Sequence, residues 1–218
     1  MRQVYLSERF EKRVAISVGI IDFGVGNLRN IQKAIDLCGA KSTISSDIDV
    51  LRKQDKLVFP GVGAFSACME CINKTFGDAL TPELERVPVL AICIGLQVLF
   101  QDSEEHGPTN GLGILKGNVR KLPTDHGLRV PHVGWNQVFP TNKAGPLFKD
   151  IPAGSHFYFT HSYFVETKEP NLISSYCHYG SDICASIERD NIFATQFHPE
   201  KSQKLGLTML QNFVLHCG

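Results

Sequence analysis

The chain has 218 residues, enough for one α/β domain that removes roughly 70% of its unfolded surface from water. Lys plus Arg and Asp plus Glu each number 22, so the formal charge is zero and no long-range field draws nucleic acid or an anionic membrane. Residues 1–13 carry scattered charges without an apolar core, and the apolar run 87–100 contains Pro88 and Gln97, so neither a secretory signal nor a membrane span is expected and a soluble cytoplasmic protein is.

Residues 14–21 form an apolar, β-branched run, followed by the turn Asp22 to Asn27 and then by Ile31, Ala34, Ile35 and Cys38 at helical spacing. Gly39 closes that helix. Residues 41–44 and 56–59 read as the second and third strands, the third stopped by Pro60, Gly61, Val62 and Gly63. Residues around Cys68 and Cys71 read as a helix. Residues 87–93 make a fourth strand that runs into a helix over 96–100. Strand and helix alternate throughout this half, which predicts a mostly parallel sheet covered on both faces.

Beyond Asn110 the runs shorten, and 128–130, 136–139, 157–164, 183–188 and 192–195 read as mixed or antiparallel strands added to the sheet. A final helix over 206–216 is expected to bury Leu207, Leu210, Phe213 and Val214. No repeat or linker divides the chain, so one domain over 14–218 is expected, preceded by an extension at 1–13 of unknown role.

Seven cysteines are scattered and odd in number, unlike a disulfide framework. The pair Cys68 and Cys71 offers two ligands where a structural zinc site needs four, so no metal is expected. Cys93 differs, because it sits where a buried strand turns sharply into a helix, between the small residues Ala91 and Gly95. A turn of that kind exposes a nucleophile, and a helix start favours its thiolate. The plainer reading is a buried thiol at a strand end.

His198 follows another strand and Glu200 lies two residues on, an order that supplies a general base and a carboxylate to orient it. Taken alone, His-x-Glu also occurs as unremarked surface chemistry. Gly61, Val62 and Gly63 after the third strand can turn backbone N–H groups toward a developing oxyanion, or simply form a turn. The Gly24 to Asn27 turn lacks the third glycine of a dinucleotide fingerprint, whose place Arg29 takes, so no cofactor is expected there.

Together, PGVGAF, Cys93 in ICIGLQ and His198 in QFHPEKS resemble the class I, triad glutamine amidotransferases over residues 14–218. The segments IDFGVGNLRN, VPHVGWNQ and HSY narrow the resemblance to the HisH family, the glutaminase subunits of imidazole glycerol phosphate synthase. That resemblance implies a flavodoxin-like three-layer fold with a mostly parallel sheet and added antiparallel strands. It implies Cys93, His198 and Glu200 as the triad, Gly61, Val62 and Gly63 as the oxyanion strand, and Gln97, Glu105, Ser162 and Tyr163 as glutamine contacts. It implies a heterodimer with a HisF-type (β/α)₈ cyclase that receives the ammonia for histidine biosynthesis, facing Asn27, Asn30, His132, Trp135, Asn136, Tyr158 and Lys201. Where family elbows read Gly-Ile-Cys-Leu-Gly, this chain has Ala91 and Ile94, a change expected to leave the nucleophile in place. A paralogue that feeds another synthase, such as one amidinating a surface-glycan sugar, would share the triad. A stand-alone cysteine hydrolase would leave the PHVGWN loop unexplained, and a non-enzymatic module would leave the triad itself unexplained.

Overall fold

Strands buried on both faces are mostly apolar, and the central strands of the first half are of that kind, whereas its edge strand, residues 41–45, is mostly polar. The computed structural model describes residues 16–124 and 127–218, so the expected extension at 1–13 and the first two residues of the expected first strand lie outside the described residues. In chain order come β1 (Ser17–Ile21), α1 (Leu28–Leu37), β2 (Lys41–Ser45), α2 (Ile48–Leu51), β3 (Lys56–Phe59), α3 (Phe65–Thr75), α4 (Leu80–Arg86), β4 (Val89–Ile92) and α5 (Ile94–Val98). They are followed by β5 (Asp102–Ser103), β6 (Thr109–Asn110), β7 (Asn118–Lys121), β8 (His132–Pro140), β9 (Ser155–His161), β10 (Tyr163–Glu166), β11 (Ile173–Tyr179), β12 (Ser181–Arg189), β13 (Ile192–Thr195) and α6 (Gln203–His216).

A nine-stranded sheet runs in the order β2-β1-β3-β4-β13-β12-β11-β8-β9. The strands from β2 to β13 are parallel, and the rest continue the sheet in antiparallel pairs. The last strand in sequence thus inserts at the middle of the sheet, beside β4.

Alternation along the central strands separates two cores. Leu57, Phe59, Val89 and Ala91 face α3 and α4, packing with Phe65, Met69, Ile72, Leu80 and Leu84. Val58, Leu90 and Ile92 face the other way, onto Ile31 and Ile35 of α1 and Leu210, Phe213 and Val214 of α6. Each strand residue therefore has an apolar layer on its own side, which makes the three-layer arrangement stable. Lys56 is buried at the edge of the second layer, where its ammonium donates to the carbonyls of Phe213 and Cys217 and satisfies the end of α6.

The structure corrects several expectations in the second half. Residues 128–130 are irregular rather than a strand. The run 157–164 is two strands in different sheets, β9 and β10, separated at Ser162. β10 joins β7, β5 and β6 in a second, four-stranded sheet. The helix expected over 96–100 begins earlier, at Ile94. Leu207 is 38% exposed, because the buried stripe of α6 passes through Gly206, Met209, Leu210, Phe213 and Val214 and turns Leu207 outward. No helix among the described residues is long and apolar enough to cross a membrane.

Candidate active site

β3, β4 and β13 are neighbours in the parallel half, so the segments that follow their C-terminal ends meet at one edge of the sheet. Ligand sites of open α/β sheets form in the crevice outside such ends. The segments are those carrying Gly61, Cys93 and His198.

At the end of β4 the backbone of Cys93 adopts φ 55° and ψ −106°, a conformation that costs on the order of 1–3 kcal/mol. The surrounding packing enforces it. Cys93 donates its N–H to the Thr195 carbonyl at 2.7 Å, which ties the turn to β13. A Cβ on Gly95 would overlap the Phe59 carbonyl oxygen but lie 3.7 Å from the Ala91 methyl. Glycine is therefore obligatory at 95, and the Ala91 methyl, fully buried in β4, stands clear of even that added Cβ.

Beyond β13, His198 and Glu200 pair through Nδ1 and Oε1 at 2.9 Å, with both side chains only 2% exposed. A carboxylate only accepts, so Nδ1 carries the proton and Nε2 is the atom left to exchange one with a nucleophile. Nε2 is buried and makes no hydrogen bond of good geometry in the free chain, but Cys93 is near enough to act on it. Burial opposes a positive ring, yet the contacts and charges of Cys93 and Glu200 outweigh it and hold the imidazolium up to about 9. The arrangement stabilises a charged histidine beside a cysteine. A sulfur beside a charged imidazole can attack a carbonyl carbon while the ring protonates the group that leaves.

A pocket of about 240 Å³ opens over Cys93 and is lined by Val62, Gly63, Gln97, Glu105, Ser162 and Tyr163, all expected from the sequence. Gln97 donates from Nε2 to the Tyr163 carbonyl at 2.9 Å and to Gln196 Oε1 at 3.0 Å, while its own Oε1 is buried without a partner. Glu105 accepts the Phe65 N–H at 2.6 Å and so joins the start of α3 to the pocket wall. Gly61 lies one step from the pocket, pressed against α5, where a Cβ would come 2.9 Å from the Ile94 Cβ.

Four pocket residues were not anticipated: Ile94, Pro131, Thr160 and His161. Gln196 was also missed, although its amide nitrogen lies 3.6 Å from the Cys93 sulfur. Its position two residues before His198 was the available signal. Burial pushes the Cys68 thiol up to about 12, and it serves as a donor to the Val62 carbonyl at 3.7 Å. Among the described residues no group of three or more His, Cys, Asp or Glu is placed to hold a metal ion.

Of the residues expected to face a partner, Trp135 and Tyr158 pack edge to face with centroids 6.1 Å apart, and the Lys201 ammonium sits 5.7 Å from the Tyr158 ring. Val133, Trp135 and Phe139 alternate along the outward face of β8 and are all exposed. Asn27 and Asn30 are exposed nearby at the start of α1, Asn27 sharing a crevice with Lys201. His132 departs from this set. It is 4% exposed, stacked between Phe159 and Tyr179, and so offers almost no surface; Asn136, on the same inward face, is half-buried.

Residues 19–217 match the family model described as glutamine amidotransferase class-I. The chain is 45% identical over 198 residues to the imidazole glycerol phosphate synthase subunit HisH of Acinetobacter baylyi, covering 90% of this chain and 97% of that one. It is 44% identical to the subunit of the same name from Syntrophotalea carbinolica, covering 89% and 97%. Among solved structures, a putative GMP synthase protein from Thermoplasma acidophilum superposes with a TM-score of 0.70 at 18% identity, covering 94% of each chain. PurLQS from Thermotoga maritima gives 0.67 at 14% identity, covering 92% of this chain and 98% of that one. At such identities the two structures speak for the fold alone.

Proposed function

Since the chain belongs to the class I glutamine amidotransferase family, we propose that Cys93, His198 and Glu200 are its catalytic triad and that a barrel cyclase takes the ammonia they release. The chain is a glutaminase subunit of imidazole glycerol phosphate synthase, acting in histidine biosynthesis. The observation that carries the triad is the buried 2.9 Å pairing of His198 with Glu200 beside the strained turn of Cys93.

In this mechanism the Cys93 sulfur attacks the carbonyl carbon of the glutamine side-chain amide. The tetrahedral oxyanion is held by backbone N–H groups of the Gly61 to Gly63 segment and of Ile94; Val62, Gly63 and Ile94 line the same pocket as Cys93. The imidazolium of His198 gives its Nε2 proton to the departing nitrogen, so ammonia leaves and a glutamyl thioester remains. His198, now neutral, takes a proton from water as that water attacks the thioester. Glutamate departs and the thiolate and imidazolium are restored. Glu200 stabilises the charged ring in both halves of the cycle. Gln97, with its buried free acceptor, and Glu105, Ser162 and Tyr163 hold the substrate; the cyclase docks over Trp135, Tyr158, Lys201, Asn27 and Asn30.

What supports the docking face is its composition, an aromatic pair with a cation stacked on it and two further exposed apolar side chains, the residue types enriched at interface cores. The test is the Cys93→Ala variant in complex with the cyclase. Glutamine-dependent turnover is expected to vanish while ammonium salts still support the cyclase; glutamate release by the variant would overturn the triad.

A further inference from the structure

The pocket wall is connected to β8 by a chain of hydrogen bonds through two buried histidines that the mechanism does not use. His132 and His161 are cross-strand partners in β8 and β9, and His132 Nδ1 lies 3.0 Å from His161 Nε2. His161 Nδ1 lies 2.8 Å from the Tyr163 carbonyl oxygen, the same oxygen that accepts from Gln97. At the other end, Asn136 Nδ2 is 3.4 Å from His132 Nε2.

The direction of each bond follows from its fixed ends. A carbonyl oxygen only accepts, so His161 Nδ1 must donate and its Nε2 must accept from His132 Nδ1. His132 Nε2 is then an acceptor. The Asn136 amide is oriented to match, because its oxygen accepts the Gln137 N–H at 2.8 Å and its nitrogen donates to the His178 carbonyl at 2.9 Å. Both rings are neutral in this arrangement, and burial pushes both imidazoles down, His132 to about 4 and His161 to about 3. A buried run with every donor and acceptor directed is stiff, since reversing one member would leave a buried polar atom unpaired.

We infer that His132 and His161 are positioning residues for glutamine: the directed chain from Asn136 through the two rings fixes the Tyr163 carbonyl and, through Gln97, the wall on which the substrate rests. β8 also carries Trp135 on its opposite face, so a partner seated there bears on the same strand that holds the glutamine pocket in shape. This inference rests on the glutaminase reading and assigns His132, expected from the sequence to meet the partner directly, an interior role.

The test uses the complete complex, with glutamate release followed against glutamine concentration. His132→Phe keeps a ring between Phe159 and Tyr179 and removes both nitrogens; KM for glutamine is expected to rise about fivefold, the scale of one neutral hydrogen bond, with kcat nearly unchanged. His132→Asn, whose amide nitrogen can donate where Nδ1 does, restores most of the loss. His161→Asn keeps the bond to Tyr163 and loses the link to His132, so it matches His132→Phe and serves in its place if that variant does not fold. An unchanged KM in these variants, a fall in kcat alone, or a His132→Asn defect as large as that of His132→Phe overturns the inference. Glutamate release by Cys93→Ala in the same assay would instead sink the triad assignment, so the two failures are distinguishable.

Discussion

The parallel half of the sheet and its antiparallel edge solve different problems with the same strand geometry. Around β3, β4 and β13 every strand side chain is buried, and the reactive groups lie just beyond the strand ends, held by packing on both faces. At the β8 edge the strand is buried on one side only and shows Val133, Trp135 and Phe139 outward. Rigidity belongs to the first region, and the proposed recognition of a partner to the second. Strain at Cys93 and charge on His198 are tolerated because their surroundings cannot relax, whereas an aromatic surface is tolerated at the edge because a second protein can cover it.

The comparison can be broken most severely at Gly95. A methyl there must displace the Phe59 backbone, so Gly95→Ala is expected to destabilise the fold by about 4 kcal/mol or more, read from denaturant unfolding. A near-normal unfolding midpoint would mean that the elbow is softer than its packing implies. Glu200→Gln acts on chemistry without removing bulk. It should lower kcat about 10²-fold, the lower end of what a positioned acid–base group contributes, and move the alkaline limb of kcat/KM, expected near pH 9, to lower pH. The sign follows from His198, whose folded value lies above its ordinary 6.5 partly through Glu200; its contribution to stability is full below pH 6.5 and is lost as pH rises through about 9. A limb that stays put would assign that ionisation elsewhere. Trp135→Ala should do the least to the isolated chain, shifting stability by under about 1 kcal/mol, while weakening the complex by about 2 kcal/mol as a central aromatic anchor does. Titration calorimetry with the cyclase measures the second figure, and an unaffected complex would move the docking face away from β8.

The two regions also differed in how plainly the sequence announced them. Strands β1, β3 and β4 are mostly apolar, with only Ser17 and Lys56 at their starts as exceptions, and strand and helix alternate along this half, so the fold class was readable in the sequence. β11 was not, since Ser174 and Ser175 interrupt its apolar pattern; both are buried and bond the Ser186 hydroxyl at 2.7 and 2.5 Å. β7 offers one buried apolar residue, Val119, and its partner β10 comes from 42 or more residues further on, so nothing local marks it. The break at Ser162 is likewise a tertiary event, where one apolar run supplies two sheets.

For the site, residue types and local spacing marked Cys93, His198 and Glu200 as candidates, a thiol at a strand-to-helix turn and a His-x-Glu after a later strand, and the family resemblance joined them into a triad. Resemblance supplied the pocket contacts Gln97, Glu105, Ser162 and Tyr163, which the fold then gathered around Cys93. Only the tertiary structure decided that Gln196 touches Cys93, that His132 is enclosed rather than exposed, and that His161 ties it to the pocket. The physical reason is direction. Sequence fixes which atoms can donate or accept, but whether an imidazole faces solvent or another strand depends on the register of β8 against β9, and that register is set by packing across the whole sheet.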